Sequence, residues 1–367
     1  MGAERPWTVG VEEEVMLLDE RTRAIANRIE EALAVLPPAL AQHASAETHA
    51  CVVELKTAPH AAVPELAAEL SALRPALDHV MRDELGLSVA AAGTHPLAIR
   101  SQVGVTGDLR HHKVAQTMGA LAHREPTMAL HVHVAIPDGD TAVRVLDRLR
   151  DDLPLLLAVS ANSPFWRRSD SGFASMRSPI FSMFPRVGIA RWFGSYAGYV
   201  EAIERMLCSD SVPDPSFLWW DARLQPRLGT IEVRIMDAQS RVSDVAALAA
   251  FVQCLVRQHA DVPGQAPTEP EVLAENRFLA ARDGVRAVFI AGPTGRRAAS
   301  DALAERLEAC GPYAAALGCR AELAAVAALA ADPGHARQRR IAAHDGLDGL
   351  VSALVGQFAA ARPVVAA

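Results

Sequence analysis

Three consecutive glutamates inside an apolar segment constrain the fold of this chain more than any other feature. Glu12, Glu13 and Glu14 lie in VGVEEEVMLLD, near the start of a sequence of 367 residues. Alternate side chains of a β-strand point to opposite faces, so Glu12 and Glu14 would share one face and Glu13 would occupy the other. Neighbouring carboxylates repel each other unless something positive neutralises them, and magnesium or manganese does this with oxygen ligands. The alternative is an exposed edge strand whose acidic side chains are solvated.

Two further apolar segments carry potential metal ligands. Glu54 in CVVELKT is a candidate third carboxylate, with a core arginine as its alternative partner, and Glu47 is a weaker candidate seven residues earlier. His131 and His133 in LHVHVAI share one strand face, where they are either metal ligands or a satisfied core pair. No cysteine or third histidine stands at ligand spacing from them, so a magnesium or manganese cluster suits them better than zinc or iron.

Arginines accompany acidic residues on two more strand-like segments. Glu232 and Arg234 alternate in GTIEVRIMD, and Asp221 and Arg223 repeat this pattern in WWDARL. An arginine one pleat from a metal-binding carboxylate is well placed to meet a phosphate or a developing phosphoryl charge. The alternative is a buried salt bridge. Because the sequence contains no P-loop, no GxGxxG after a strand and no GxSxG elbow, carboxylates, metals and arginines on a sheet would have to bind any nucleotide.

Composition excludes several classes of protein. Half of the residues are hydrophobic, which excludes a wholly disordered chain, and a formal net charge of -7 gives no basic field for nucleic acid. The five cysteines are scattered without a CxxC pair, as in a reduced protein. The first residues are acidic and lack the apolar core of a signal peptide. The apolar stretch Val245–Val256 is shorter than the ~20 residues of a membrane span, so we expect a cytoplasmic protein without membrane association.

Apolar periodicity and Pro/Gly punctuation predict strands mostly in the first two-thirds and helices in the last third. The predicted strands are Trp7–Leu18, Cys51–Thr57, Leu87–Ala92, Ala129–Ile136, Phe217–Leu224 and Gly229–Asp237, with Val285–Phe289 as a further candidate. The predicted helices are Arg28–Leu36, Pro64–Leu85, one around Lys113–His123, Thr141–Val159, Tyr196–Cys208, Val242–His259, Pro270–Arg282, Ser300–Leu317, Arg320–Ala331 and His335–Ala343. We expect residues 160–195 to form a long ordered loop. The pattern predicts an α+β fold with one antiparallel sheet backed by helices.

Taken together, these segments resemble one family closely. TVGVEEEVMLLD, CVVELKTAP, AAAGTHP, LHVHVAIPD, ANSPFW, SGFASMRSPIF and WWDARLQPRLGTIEVRIMDAQ resemble the carboxylate–amine ligases of the type 2 glutamate–cysteine ligase family. The resemblance implies a glutamine synthetase-like catalytic domain, in which a curved antiparallel sheet forms one wall of a funnel backed by helices. It implies a single domain over residues 1–367, with its C-terminal helical part near residues 270–360. ENRFLAARDGV is similar to the helix that closes over the active site in this family.

The resemblance also implies roles for individual residues. The implied metal ligands are Glu12, Glu14, Glu54, His131 and Glu232. His131 would also face the phosphates, Arg234 would lie beside the transferred phosphoryl group, and Arg223 would clamp a phosphate or carboxylate. The implied cofactors are ATP and two or three Mg²⁺ ions, with Mn²⁺ as the alternative metal.

The reaction that the resemblance implies proceeds through an acyl phosphate. ATP phosphorylates a substrate carboxylate, an amine attacks, and phosphate leaves. The loop Asp170–Arg177 is the candidate lid, and L-glutamate and L-cysteine are the default substrates. The alternatives are a ligase of the same mechanism for a different amino acid and amine, a metal-dependent hydrolase, and an inactive binding protein, against which the retained carboxylates argue. We expect small-molecule substrates and a homodimer.

Three departures from the family pattern leave the substrate pair open. The segment Gly107–Lys113 lacks the tyrosine expected after its arginine, and we interpret its two histidines, His111 and His112, as solvated. Ala129 and Ala135 stand where glycine is common.

Overall fold

A computed structural model describes residues 2–107, 114, 116–262, 267–292 and 294–360. The expectation for His111 and His112 lies outside these residues. The helix expected around Lys113–His123 lies partly outside them, and its described end is the 3-10 turn Gly119–His123.

The strands of the described chain are numbered in order. They are β1 Val9–Asp19, β2 Ala44–Ala46, β3 Val52–Lys56, β4 Leu87–Ala90, β5 Ala129–Ala135, β6 Phe165–Trp166, β7 Ser169–Asp170, β8 Val187–Gly188, β9 Trp219–Trp220, β10 Ala222–Gln225, β11 Thr230–Asp237, β12 Val288–Ala291 and β13 Gly295–Ala298.

The helices are numbered in the same way. They are α1 Ile29–Ala34, α2 Pro38–Ala41, α3 Val63–Leu85, α4 Gly139–Leu149, α5 Leu153–Ser160, α6 Arg177–Phe181, α7 Tyr196–Leu207, α8 Val242–Asp261, α9 Pro270–Asp283, α10 Ala299–Leu317, α11 Arg320–Ala331 and α12 Gly334–Ala359.

One antiparallel sheet of seven strands organises the chain. Its order is β10-β11-β5-β1-β3-β2, and β4 also pairs with β1. The central strand β1 pairs with β5 through its first half and with β4 through its last residues, while β3 lies along its other edge. The predicted α+β class and the antiparallel pairing are therefore confirmed, and the glutamates of β1 lie on a central strand.

The two faces of this sheet differ sharply in polarity. On one face, valines and leucines of β1, β5 and β11 pack against the almost fully buried helix α8 and its neighbours α3 and α4. An ion pair interrupts this face, where Glu13 meets Arg74 of α3; both side chains are buried. Arg74 Nε donates to Glu13 Oε2 over 3.0 Å, and Nη2 donates to Glu13 Oε1. The other face carries the charged residues.

A second apolar cluster covers the far end of β1. Val15, Met16, Leu17 and Leu18 pack there with β3, β4 and the last turns of α12. Because β1 contributes to both clusters, it connects the two parts of the apolar core. The extent of the expected single domain stays a prediction.

Several predicted elements differ in their bounds. The predicted helix Thr141–Val159 divides into α4 and α5, since Pro154 stands in the first turn of a new helix. The predicted strand Phe217–Leu224 divides into β9, which pairs with β8, and β10, which joins the main sheet. The strand candidate Val285–Phe289 begins later, at Val288.

The last helix and the long loop also differ from expectation. Helix α12 continues to Ala359 through a kink at Gly346, whose φ of 72° is open to glycine. The predicted helix His335–Ala343 therefore ends too early. The loop over residues 160–195 is ordered and contains the hairpin β6–β7 and the short helix α6. Within the described residues, no helix is both long enough and apolar enough to cross a bilayer.

The cysteines give a direct test of this packing. Cys208 is exposed, whereas the other four thiols are buried, and burial raises the pKa of Cys51 and of Cys310 to about 12. A thiolate is the reactive form, so buried thiols of raised pKa should not react near neutral pH. We expect a chromogenic thiol reagent to modify one cysteine in the native protein and all five in denaturant. Rapid native labelling of several thiols would contradict the packing of α8 against α11.

Candidate active site

The charged face of the sheet is built by strand register. Directly opposed residues of an antiparallel pair point to the same face. The opposed pairs on this face are Glu12 with His131, Glu12 with Lys56, Glu14 with Glu54, Glu232 with His133 and Arg223 with Glu232. The structure thus brings all the sequence-predicted metal ligands and both predicted arginines to one face, and it places Glu13 on the other.

His131 stands at the centre of this face. Its Nδ1 lies 3.4 Å from Glu12 Oε2 and 3.8 Å from Glu232 Oε1, and its Nε2 lies 3.6 Å from Glu14 Oε1. His133 Nε2 lies 3.5 Å from Glu12 Oε2. The His131 imidazole therefore lies beside three carboxylates, those of Glu12 and Glu14 on β1 and of Glu232 on β11.

A lysine closes the β3 side of the cluster. Lys56 Nζ lies 2.6 Å from Glu54 Oε1 and 3.8 Å from Glu12 Oε1. Ser45 of β2 donates to Glu54 Oε1 over 3.1 Å. Glu54 is thus held by neighbours on both sides, and its alternative partner is a lysine rather than a core arginine.

Within the described part of the chain, three groups of side chains have ligand atoms that all lie within 4.8 Å of one another. The groups are Glu12 with Glu54 and His131, Glu12 with His133 and Glu232, and Glu14 with Glu47 and Glu54. Oxygen-rich groups of this kind suit a hard divalent cation better than zinc. Glu12 and Glu54 each belong to two groups, so the three groups form one continuous cluster.

Glu47 is the residue that sequence reasoning undervalued. It follows the short strand β2, and its side chain reaches the group of Glu14 and Glu54. Its segment shows little strand periodicity, so its direction could not be read from alternation. The only local signal was one more acid shortly before the strand that carries Glu54.

Two arginines hold Glu232 at the other side of the face. Arg223 Nε donates to Glu232 Oε2 over 2.7 Å and Arg234 Nη1 donates to Glu232 Oε1. The Nη1 of Arg223 also donates to two backbone carbonyls, those of Ser216 and Leu218. Arg223 is therefore largely engaged by protein acceptors, which suits the orientation of Glu232. A clamp on phosphate or carboxylate stays a prediction for this residue.

A register shift in β11 lies beside Arg234. The pairing of β11 with β5 shifts between Val233 and Met236, whereas alternation along β11 places Arg234 on the face of Glu232. Arg177 of α6 is buried and donates to the carbonyls of Arg234 and Ile235 over 3.1 and 3.0 Å. Sequence analysis did not single out Arg177 as a site residue, although it lies in one of the segments that carry the resemblance.

The electrostatics of the cluster are uneven. Burial and the charge of Glu47 raise the pKa of Glu14 to about 8. Burial also opposes ionisation of Glu12, but the neighbouring imidazoles of His131 and His133 hold the pKa of Glu12 well below its usual range. Burial and the charge of Arg234 lower the pKa of His131 to about 3, so its imidazole is neutral near neutral pH. Neighbouring carboxylates thus differ in pKa, because the surrounding basic side chains do not neutralise all of them at once.

Unsatisfied buried atoms test whether the cluster fits a metal and a phosphate. Among the described residues, His131 Nε2, His133 Nε2 and Arg234 Nε have no hydrogen-bond partner. Buried polar atoms are normally satisfied, so such orphans point to an absent ligand. A neutral imidazole offers a lone pair to a cation, and a guanidinium offers an N–H to an anion. The residues present therefore fit a divalent cation beside a phosphate.

The candidate lid is anchored at both ends. Asp170 is held by Arg339 of α12 at 2.7 Å, and Ser175 Oγ donates to Asp237 Oδ1 over 2.8 Å. Asp237 ends β11 and also accepts from Ser163 Oγ over 2.6 Å. These contacts explain the order of the loop, whereas a lid movement stays a prediction.

Helix α9, which contains ENRFLAARDGV in part, is tied to the same side of the sheet. Arg277 Nε donates to Asp221 Oδ2 over 2.6 Å, and Nη1 donates to Ser182 Oγ over 2.8 Å. Asp221 directly precedes β10, the strand of Arg223. Asp221 thus serves as an anchor for α9.

Comparison with known proteins agrees with this geometry. The sequence model of the glutamate–cysteine ligase family 2 matches residues 8–355. A relative from Rubrobacter xylanophilus, provisionally named glutamate–cysteine ligase 2-3, is 39% identical over 94% of this chain and 95% of its own length. A relative from Nocardia farcinica, provisionally named glutamate–cysteine ligase 2-1, is 36% identical over 96% of this chain and 93% of its own length.

Two solved structures share the fold at low sequence identity. Glutamate–cysteine ligase from Francisella tularensis, solved in complex with AMP, superposes with a TM-score of 0.71 at 12% identity, covering 98% of this chain and 90% of its own. A bifunctional glutathione synthetase from Pasteurella multocida superposes with a TM-score of 0.69 at 14% identity, covering 96% of this chain and 52% of its own. The predicted fold class is thereby confirmed.

The family match and the relatives together define the class of the protein as a carboxylate–amine ligase enzyme. The chain belongs to the glutamate–cysteine ligase family 2.

Proposed function

We propose that this ligase uses ATP to form an amide through an acyl phosphate, with L-glutamate and L-cysteine as its default substrates. One observation carries the proposal: three overlapping groups of ligand atoms lie on the sheet face that also presents Arg234. Phosphoryl transfer needs alignment and charge neutralisation more than it needs a protein nucleophile. This face can supply both.

The proposed ligands of Mg²⁺ are the residues of the three groups. They are Glu12, Glu14, Glu47, Glu54, His131, His133 and Glu232. When bound, Mg²⁺ would neutralise phosphate charge and orient the nucleotide. The overlap of the groups supports two or three ions, and Mn²⁺ has the same preference for oxygen.

The chain's own residues divide the remaining work. Arg234 keeps its buried Nε free of protein partners among the described residues, which supports a contact with the transferred phosphoryl group. Burial opposes the charge of Arg234, but Glu232 raises its pKa further, so the guanidinium stays charged. Arg223 fixes Glu232 from the other side, and Arg177 holds the backbone of Arg234 through its carbonyl.

Replacing Arg234 by alanine should lower kcat about 100- to 1,000-fold, as expected when a donor to a developing charge is removed. Arg223 would still pair with Glu232, so the protein should remain folded. Phosphate release under saturating substrates measures the loss. Arg205→Ala, which breaks an exposed pair with Glu201, is the matched control. If Arg234→Ala retained the native rate, Arg234 would have only a structural role.

Phosphate release from ATP and magnesium, with amino acids supplied singly and in pairs, tests the proposed function. Release that depends on glutamate and rises with cysteine supports the default pair. Release with a different pair keeps the mechanism and changes the substrates. If the protein does not bind ATP, the proposal fails. The expected homodimer and the cytoplasmic location stay predictions.

A further inference from the structure

A tight hairpin beside the start of β5 holds two arginines in an unfavourable backbone conformation. Arg167 and Arg168, between β6 and β7, have φ values of 49° and 67°. Hairpin turns with positive φ at both central residues normally contain Asn and Gly. Contacts outside the turn maintain this conformation: Arg168 N donates to Pro96 O over 2.9 Å, and Arg167 Nε donates to Glu125 Oε1 over 2.6 Å. The strained turn therefore positions Arg167 against Glu125.

Glu125 belongs to a small cluster of unsatisfied polar atoms. It is 3% exposed, and its Oε2 accepts no hydrogen bond within the described chain. Arg124 Nε lies 3.6 Å from this oxygen and is also buried without a hydrogen bond. Trp166 Nε1 is a third buried atom without a partner. The guanidinium of Arg167 lies 4.4 Å from the Trp166 ring centre, and that of Arg124 lies 5.9 Å from it.

The three unsatisfied atoms differ in what they can bind. Glu125 Oε2 is an acceptor with negative charge, whereas Arg124 Nε and Trp166 Nε1 are donors. A phosphate would be repelled by the carboxylate, and a metal ion would find no use for the two donors. A free amino acid carries both complementary groups, an ammonium and a carboxylate, on one carbon. The cluster therefore matches the head of an amino acid.

A short stretch of chain connects the Glu125 cluster to the acidic site. Glu125 precedes Ala129 by four residues, and Ala129 N donates to Glu14 Oε2 over 2.7 Å. Four residues span at most about 14 Å, so the backbone of Glu125 lies within that distance of Ala129. The hairpin is held against the sheet region as well, because Thr94 Oγ1 donates to Phe165 O over 2.8 Å. A substrate head bound here would lie within reach of the acidic site.

We propose that Glu125, Arg124 and Trp166 form the subsite for the α-ammonium and α-carboxylate groups of an amino-acid substrate. Glu125 Oε2 accepts from the ammonium, while Arg124 Nε and Trp166 Nε1 donate to the carboxylate. Arg167 holds Glu125 in place and lies against the Trp166 ring. This inference rests on the proposed function, and either amino acid of the default pair has the required head.

Calorimetric binding to the full chain, without ATP, tests the subsite. The probes for one substrate are L-glutamate, glutarate, which lacks the α-ammonium, and 4-aminobutyrate, which lacks the α-carboxylate. The probes for the other are L-cysteine, 3-mercaptopropionate and cysteamine, which form the same series. Comparing the two series identifies which substrate occupies the subsite.

Glu125→Gln should weaken binding of the amino acid about tenfold or more and abolish its preference over the deaminated analogue, because the charged acceptor is lost. Trp166→Phe should instead reduce the preference over the decarboxylated analogue. The control Glu31→Gln removes an exposed carboxylate paired with Arg28 and should leave every affinity unchanged.

An unchanged preference in Glu125→Gln would overturn the subsite, and so would the absence of binding of either amino acid to the wild-type protein. If Glu125→Gln does not fold, Trp166→Phe still decides, because it leaves the ion pair of Glu125 intact. Selective amino-acid binding without phosphate release from ATP would keep the subsite and refute the proposed function. Phosphate release from ATP, together with an unchanged preference in Glu125→Gln, would support the proposed function and refute the subsite.

Discussion

Replacing Glu12 by glutamine is expected to lower turnover about 100-fold or more, a loss typical of removing charge stabilisation from a reacting centre. Glu12 contributes an oxygen to two of the three groups of candidate ligands, so one substitution weakens both. The side chain keeps its shape but loses its charged contacts with Lys56, His131 and His133, so the free energy of unfolding should also fall. Phosphate release at saturating magnesium and a urea denaturation curve measure the two effects.

The neighbouring glutamine substitution at Glu54 gives an internal comparison. Glu54 is also shared by two groups, and burial and the charge of Glu12 raise its pKa. Glu54→Gln should therefore lower turnover for the same reason as Glu12→Gln, because each substitution removes a ligand oxygen from two groups. Native turnover in Glu12→Gln would exclude this residue as a ligand and would weaken the assignment of both groups that contain it.

Replacing Glu13 by glutamine is expected to have the opposite pattern, with a loss of about 3–5 kcal/mol in the free energy of unfolding. Glu13 and Arg74 are 1% and 0% exposed, so the substitution leaves a buried cation without its counter-ion. Arg74 also donates to the carbonyls of Gln239 and Ser240, which retain part of its bonding. Urea denaturation measures the loss, and turnover per folded molecule should remain close to native.

A double variant tests whether the loss belongs to the pair. Glu13→Gln combined with Arg74→Met removes both charges, so it should be more stable than the sum of the two single losses predicts. Additive losses, or a native denaturation midpoint in Glu13→Gln, would show that the pair contributes little. Glu12 and Glu13 would then not differ in their effect on stability, although the sheet geometry places them on opposite faces.

The two faces of the sheet could be predicted because strand alternation is a local property. The spacing of Glu12, Glu13 and Glu14 separates the site from the core, and the same rule places His131 with His133 and Glu232 with Arg234. Each of these residues lies in a strand whose apolar neighbours identify it. Which strands pair, and in what register, could not be derived from alternation and is seen only in the folded chain.

Residues outside regular strands were harder to predict. Glu47 joins the acidic cluster from the end of a three-residue strand, which is too short to show a period. Arg177 supports Arg234 through backbone carbonyls, and no pattern in its own segment indicates that contact. Glu125 becomes notable only because its second oxygen is buried and unsatisfied, which is a property of the folded chain.

The predicted bounds of helices were wrong at a glycine and a proline that are each compatible with more than one local structure. Gly346 stops a helix in most sequences, but here α12 bends and continues because Leu350, Leu354 and Phe358 find a core to pack against. Pro154 begins a new helix rather than extending the old one. In both places tertiary packing, rather than local preference, decides the outcome.

The glutamate triplet on β1 has a consequence for how the chain finds its alignment during folding. If β1 slipped by one residue, a carboxylate would still meet Arg74 and another would still meet His131. Ion pairing alone therefore hardly distinguishes the native register of β1 from the slipped one. The penalty for slipping falls on the flanking Val9 and Val11, which are buried against the helices and would be turned onto the charged face. The register of the charged segment of β1 is thus set by the apolar residues that precede it.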